Sequence, residues 1–398
     1  MDVAPVESAQ VVIRTATRIG SLLAIGITAH TAWNLRHLVS LPATGDYPAV
    51  IEKVSILIPA RNEQAHIEQT VKSALAQQGL ADFEVLVLDD GSFDETSAIV
   101  KSIENPRLHL LHGNDEPPPP GWLGKPYACA RLSAHATGSV LVFLDADVEL
   151  HPTAIARCIG LLRGEGLDLV APYPKLLAEG WFERLVQPLV VWSWVSTVPL
   201  AWSMSSQRPS LSAANGQLLV FDGVTYRSID GHTCVADNVL EDIGLMRAVR
   251  SSGGRAITVD GSRIADCRMY SRPSEVIDGY SKSLWAAFGG PVGSAAVVST
   301  LSAAYVLPFT ALFLAPRFLA PRGRDRAWAA AGVLAGVAGR ALVAQRTGSR
   351  VLPDALAQPA SIAAFAGLNA ISWWRHKRGT NAWKGRAVTT RVTQKDTK

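Results

Sequence analysis

The chain has only four cysteines, Cys129, Cys158, Cys234 and Cys267, scattered with no CxxC spacing. That excludes the usual zinc-site spacing and gives no disulfide framework, and it fits a reducing compartment. Charge of one sign is also lacking. The 38 basic and 34 acidic residues leave a net +4, too balanced to suggest a nucleic-acid binder. No GxGxxG follows the first apolar strand, which argues against a dinucleotide fold of the usual sort. Apolar sequence, by contrast, is abundant at 48% and unevenly spread. Residues 51–285 are mixed and globular in character, whereas both ends carry long apolar runs.

Ile19–Leu35 is apolar apart from His30, Asn34 and a few small polar residues, and is flanked by Arg14, Arg18 and Arg36. At about 17 residues it meets the lower limit for a spanning helix. Its distance from residue 1 favours an uncleaved anchor over a signal peptide. Gly290–Ala315 is uncharged, a strong transmembrane signal. Ala327–Ala344 is interrupted by Arg340, so it reads as a helix packed on others or an interfacial one. Ala355–Trp374 is uncharged and ends at a Trp pair, as in an interface belt. Basic clusters stand at Arg317, Arg322, Arg324 and Arg326, and at Arg375, His376, Lys377 and Arg378. Three full spans after a cytoplasmic domain would place both clusters outside, against the positive-inside tendency. Either one stretch does not span or the large domain faces outward. Trp181–Met204, with Trp181, Trp192, Trp194, Trp202, Pro188 and Pro199, is either a Trp-rich core helix pair or an amphipathic element at the bilayer surface. The expected organisation is an anchor and linker over 1–50, a globular domain over 51–289, a membrane region over 290–376 and a basic tail over 377–398.

In the globular part, apolar strands at Val54–Pro59, Phe83–Leu88, Leu108–His112 and Val140–Val148 alternate with helical patterns at His66–Gln78, Thr96–Ile103 and Ala128–Thr137. This order predicts a mostly parallel sheet covered on both faces. Ligands bind such sheets beyond the carboxyl ends of the strands. Asn62, Glu63, Asp89, Asp90, Asp145 and Asp147 all fall there. Read as the end of one strand, Asp145 and Asp147 point the same way and repel unless a cation lies between them. A divalent metal holding a diphosphate supplies one; the alternative is a pair of helix-capping acids. Asp89 or Asp90 suits a base or ribose, and Lys125, in Gly121-Trp122-Leu123-Gly124-Lys125-Pro126, is either a phosphate contact or a surface lysine. Pro117–Pro120 reads as a stiff spacer. Downstream, Asn215-Gly216-Gln217 precedes a strand Leu218–Phe221. A helix over Asp237–Arg250 is entered through Glu241 and Asp242, read either as dipole partners or as a general base facing an acceptor hydroxyl.

The ordered set PARNE at 59–63, LDDGS at 88–92, GK at 124–125, LDADV at 144–148 and ED at 241–242 resembles inverting glycosyltransferases of family 2 with the GT-A fold, over about residues 50–290. With the Gly-Trp-Leu-Gly-Lys-Pro segment and terminal membrane regions, it looks most like the hopene-associated and carotenoid (diaponeurosporenoate-type) branch. The resemblance implies that Pro59, Ala60, Arg61, Asn62, Glu63, Asp89 and Asp90 line the nucleotide base and ribose. It implies that Asp145 and Asp147 hold diphosphate through Mg²⁺ or Mn²⁺, with Lys125 and Glu241 beside them, and that Asp242 is the catalytic base. Processive members carry Gln-x-x-Arg-Trp after the ED pair. Here Tyr280–Trp285 keeps a cation, Lys282, and Trp285 but lacks Gln and Arg, which favours transfer of one sugar to a discrete acceptor. Lys282 is then a diphosphate contact and Trp285 an acceptor contact. The expected partners are a nucleotide-sugar donor (a UDP-sugar first), a lipid or isoprenoid acceptor and the membrane. The expected location is the cell membrane, multi-pass, with the catalytic domain cytoplasmic. A polyprenyl-phosphate transferase using Arg263, Arg268 and Arg272, a polysaccharide synthase, and a membrane-anchored nucleotide-binding scaffold are the rival readings.

Overall fold

The computed structural model describes residues 4–47, 49–113, 117–314, 323–384 and 386–387. The strands in chain order are β1 (Val50–Ala60), β2 (Leu80–Asp89), β3 (Leu108–His112), β4 (Val140–Leu144), β5 (Val148–Leu150), β6 (Leu169–Tyr173), β7 (Lys175–Leu176), β8 (Leu218–Asp222), β9 (Ala256–Asp260), β10 (Ala265–Cys267), β11 (Ala382–Trp383) and β12 (Arg386–Ala387). The chain forms two compact units. One comprises Leu38–Leu177, Leu200–Met269 and Gly379–Lys398; the other comprises Met1–His37, Ala178–Pro199 and Tyr270–Arg378.

The first unit is built on a seven-stranded sheet in the order β3-β2-β1-β4-β8-β6-β9. β1 runs parallel to β2 and β4, and β8 enters antiparallel between β4 and β6. Chain order advances outward from β1 through β2 to β3 and then jumps to β4 on β1's other side. That reversal opens a crevice at the carboxyl ends of β1 and β4, the usual ligand position in open α/β sheets. β4 is apolar throughout, and β1 and β2 are apolar over Ile56–Ile58 and Val85–Leu88, because both faces are covered there. Ile56, Ile58, Val85, Val87, Val142 and Leu144 pack on one face with Ile155 and Ile159 of the helix Ala154–Gly164. Leu57, Leu86, Leu88, Leu141, Phe143 and Phe221 pack on the other with Leu132, Leu245 and Met246. Pro59 is tolerated in a central strand because the β1–β4 ladder stops at the Leu57–Phe143 pair.

Several boundaries differ from the sequence reading, each for a local reason. Val140–Val148 is not one strand: it breaks at Asp145-Ala146-Asp147, where the Val148 amide bonds back to the Asp145 carbonyl (3.2 Å). Aspartates favour such turns over strand continuation, so the shared direction of the two carboxylates does not come from strand alternation. The helix before β4 runs Gly124–His135, and the downstream one Glu241–Ser251. The first starts earlier and the second later than the apolar pattern suggests, which puts Lys125, Glu241 and Asp242 in first turns.

The second unit is helical. Ala4–Asn34, Gly323–Arg346 and Gln358–Lys377 are its longest continuous helices; Pro291–Leu301 continues through π-helical turns to Leu314. Among the described residues, three segments are long and apolar enough to cross a membrane: Gln10–Asn34, Pro291–Leu314 and Gly323–Arg346. Gln358–Lys377 is not among them, so the expected span at Ala355–Trp374 is a helix without that hydropathy. Arg340 does not break its helix, because its guanidinium bonds the Arg184 carbonyl (2.8 Å), Gln358 (3.3 Å) and the Ser361 hydroxyl. A Cβ on Gly332 would sit 2.6 Å from the Ser21 hydroxyl, and one on Gly339 2.8 Å from that of Thr28, the close helix approach that small residues permit. Arg18 pairs with Asp325 at 2.6 Å. In the Trp-rich stretch Trp192 and Trp194 are buried, while Trp181 is 71% and Trp202 70% exposed. Ala315, Arg317 and Arg322 lie outside the described residues.

Phe221 is fully buried and sits edge-on to Phe143 and Tyr226. Phe221→Ala is expected to cost about 3–5 kcal/mol, read as a lowered unfolding midpoint of the full-length protein. An unchanged midpoint would contradict this core assignment.

Candidate functional site

The ends of β1 and β2 are tied together before any ligand is considered. Ala60 pairs with Asp89, and the Asp90 amide donates to the Ala60 carbonyl (2.8 Å). Asn62 adopts a left-handed backbone (φ 52°), its amide donating to the Ser92 hydroxyl (2.9 Å) and its side-chain oxygen accepting from the Phe93 amide (2.9 Å). Asp89 accepts from the Ser92 amide (3.0 Å), which curls LDDGS around the β1 turn. Arg61 bonds the carbonyls of Asp90 and Gly91, the latter at 2.8 Å. A non-glycine residue held at positive φ costs energy and persists only where its surroundings over-determine it, often at functional sites.

A second knot lies at the ends of β4 and of the helix Glu241–Ser251. The Lys125 ammonium is 2.7 Å from Asp145, 3.0 Å from Glu241 and 3.2 Å from the Gly216 carbonyl. The Gly216 amide in turn donates to Asp242 (2.9 Å), whose other oxygen accepts from the Ile243 amide (2.8 Å). A Cβ on Gly216 would lie 3.1 Å from the Lys125 ammonium and 3.2 Å from the Glu241 carboxylate, so glycine permits the close approach. The Gln217 carbonyl accepts from the Asp145 amide (3.0 Å), and its side chain reaches the Cys267 sulfur (2.8 Å).

Burial and neighbouring charge perturb these groups. Burial and then the Glu241 charge push the Asp242 carboxyl up to about 7. Burial pushes Glu63 up to about 7 against the pull of Lys384. Asp145 is raised by burial and by Asp147 despite Lys125. Burial opposes the Lys125 charge, but Asp145 and Glu241 outweigh it and hold its pKa well above the usual lysine range. Perturbed carboxylates in a cleft are a recurrent mark of function.

Among the described residues no three Asp, Glu, His or Cys side chains converge as a ready metal cage. The acids nonetheless fit a divalent ion of the Mg²⁺ or Mn²⁺ kind, which takes one or two carboxylates and completes its shell with phosphate and water. The Asp147 Oδ1 atom is buried with no hydrogen-bond partner, an acceptor left available for such an ion.

Pro59, Ala60, Arg61, Asn62, Glu63, Asp89, Asp90, Lys125, Asp145, Asp147, Glu241 and Asp242 all belong to the first unit. Lys282 and Trp285 belong to the second. There Trp285 stacks on His376 (3.7 Å between ring centres), and its indole N–H donates to the Lys282 carbonyl (3.0 Å). Of the three arginines named for a lipid phosphate, Arg263 and Arg268 lie in the first unit and Arg272 in the second. The Arg268 amide donates to the Asp147 carbonyl (3.3 Å). Sequence reasoning missed two residues altogether. Lys384 pairs with Glu63, and Arg386 with the Asp90 carboxylate. Read as tail charge, they are placed by β11 and β12, Lys384 after the first strand and Arg386 in the second, and Trp-Lys-Gly-Arg is the available signal.

Residues 55–189 match the family model described as glycosyl transferase family 2. A 4,4'-diaponeurosporenoate glycosyltransferase of Staphylococcus haemolyticus (strain JCSC1435) is 27% identical over 263 residues, 65% of this chain and 68% of the relative. Its namesake from Staphylococcus aureus (strain USA300) is 29% identical over 244 residues, 60% of this chain and 62% of the relative; the chain thus spans less than two thirds of the latter's length. A mannosyltransferase from Pyrobaculum calidifontis, solved with GDP-Man and Mn²⁺, superposes with a TM-score of 0.52 at 17% identity, covering 96% of this chain and 100% of that one. This likeness bears out the GT-A fold.

Lys125→Met is expected to leave Asp145 and Glu241 uncompensated. Because the lysine side chain is 36% exposed, solvent screening limits the loss to about 1 kcal/mol. The missing cation raises both carboxyl pKa values, so the loss grows as pH rises through their titration and fades in acid. Unfolding midpoints at about pH 5 and pH 8 check this; equal losses at both would contradict it.

Proposed function

We propose that the chain, whose residues 55–189 match the family 2 glycosyl transferase model, is a glycosyltransferase that transfers a single sugar, with inversion, from a nucleotide-sugar donor to a lipid-type acceptor such as a carotenoid or hopanoid. The observation that carries the reading is the contact chain from Asp145 through Lys125 to Glu241 and, through Gly216, to Asp242. It brings the end we propose for the diphosphate beside the carboxylate we propose as the proton acceptor.

The proposed step is one in-line displacement. The acceptor hydroxyl oxygen bonds to the anomeric carbon as its proton passes to the Asp242 carboxylate. The bond from that carbon to the diphosphate oxygen breaks, and its electron pair leaves with the nucleoside diphosphate. Asp145 and Asp147 would hold the divalent ion, which supplies charge neutralisation for the leaving diphosphate. Lys125 adds a fixed cation there. A base poised near neutrality suits this task, and the raised Asp242 carboxyl meets that requirement. The PARNE turn and Asp89-Asp90 are the proposed walls for base and ribose, with a UDP-sugar the first donor to test. For Lys282 and Trp285 the resemblance is the only support.

The apolar helices support membrane association. Nucleotide sugars are made in the cytoplasm, so we place the catalytic unit on that side of a multi-pass protein. The staphylococcal relatives named for diaponeurosporenoate support an isoprenoid acceptor. Membranes incubated with labelled UDP-glucose and other nucleotide sugars, then resolved as lipid extracts by mass spectrometry, test donor and acceptor together. The expected result is one singly glycosylated lipid; no labelled lipid with any donor would contradict the reading.

Asp242→Asn is expected to keep donor binding and lower turnover about a hundredfold to ten-thousandfold; near-normal turnover would remove the base assignment. Chelation of divalent metal is expected to stop turnover, with Mn²⁺ or Mg²⁺ restoring it. Activity retained in excess chelator would contradict the metal role. Because the ionised form of Asp242 is the active one, kcat/KM should rise with pH up to about 7. Glu241→Gln removes the neighbouring charge, so that limb should move to lower pH. A limb unmoved by the substitution would separate it from Asp242.

A further inference from the structure

Residues 379–384 and 386–387 join the catalytic unit rather than the helical one, and what they bring there is charge. β11 and β12 pair antiparallel, Ala382 with Ala387 and Trp383 with Arg386. Lys384 lies between them with a left-handed backbone (φ 46°). Its ammonium contacts the Glu63 carboxylate and its carbonyl accepts from the Arg61 guanidinium (3.2 Å). Arg386 contacts the Asp90 carboxylate and donates to the Asp90 carbonyl (3.2 Å). A Cβ on Gly124, one residue before Lys125, would lie 3.5 Å from the Arg386 guanidinium. The two tail cations thus reach both the PARNE turn and the start of the helix that carries Lys125.

We propose that Lys384 and Arg386 form a strap that completes the donor site, acting as donor-positioning residues by neutralising Glu63 and Asp90 where the nucleotide enters. This rests on the donor-site reading above. A nucleotide sugar brings an anionic diphosphate to an edge already lined by Glu63, Asp90, Asp145, Asp147 and Glu241. Like charges in a partly buried site repel strongly, so the tail's cations favour entry of the anion. A strap that merely plugged the site would act in the opposite direction, because its removal would free the donor's place. The two arrangements therefore predict opposite signs for the same substitution.

The test is the full-length protein in nanodiscs, titrated calorimetrically with UDP, and separately with GDP, in the presence of Mn²⁺. K384A/R386A is expected to weaken binding of the preferred nucleotide about tenfold or more. In turnover it should raise the donor KM with kcat nearly unchanged, the mark of lost uniform binding. K384R/R386K keeps the charges and should return most of the affinity, which a purely structural role would not require. R386Q, which leaves Lys384 in place, should fall between wild type and the double variant. Unchanged or tighter nucleotide binding in K384A/R386A would overturn the strap while leaving the donor site standing. Wild-type protein that binds neither UDP nor GDP would overturn the donor-site reading and the strap with it.

Discussion

Lys125 stands between Asp145 and Glu241, and the chemistry assigned to this molecule depends on that placement. Without a cation there, carboxylates from two separate elements could not share one sheet edge except by taking up protons. With it, the carboxylates are held within a few ångströms of one another, and Gly216 links the same knot to Asp242 through its amide. The arrangement divides the acids by environment. Asp147 keeps a buried oxygen with no hydrogen-bond partner, whereas burial and the Glu241 charge push the Asp242 carboxyl up to about 7.

The fold supplies this knot cheaply because it uses a feature that open sheets already possess. β1 and β4 are neighbours although β2 and β3 intervene in sequence. The turns that follow them therefore face one crevice. β8, antiparallel beside β4, brings Gly216 and Gln217 to the same edge from the opposite direction. Three chain segments far apart in sequence thus meet at one edge of the sheet.

Much of this was legible in the sequence, and the exceptions share a cause. β1, β2 and β4 read as apolar runs because both their faces are buried where they cross the sheet, and their terminal acids lie at its carboxyl edge. The Asp145-Ala146-Asp147 turn was read as strand because the apolar run before it gave no stop signal. The first turns at Gly124 and Glu241 were misplaced because neither helix begins with a side-chain cap. Arg340 looked like an interruption, yet its partners Arg184, Gln358 and Ser361 are distant or lie on the next helix. Lys384 and Arg386 were read as tail charge for the same reason. Their partners, Glu63 and Asp90, lie about three hundred residues earlier, a separation that local pattern reading does not reach.

The central claim is that Asp145, Asp147 and Asp242 serve one ligand. A structure of the wild-type protein with UDP and Mn²⁺, with the metal located by its anomalous signal, tests it most directly. The account predicts one manganese peak bridging the UDP diphosphate to Asp145 or Asp147, with Asp242 facing the same cavity. Manganese bound elsewhere, or UDP seated away from these carboxylates, would contradict it.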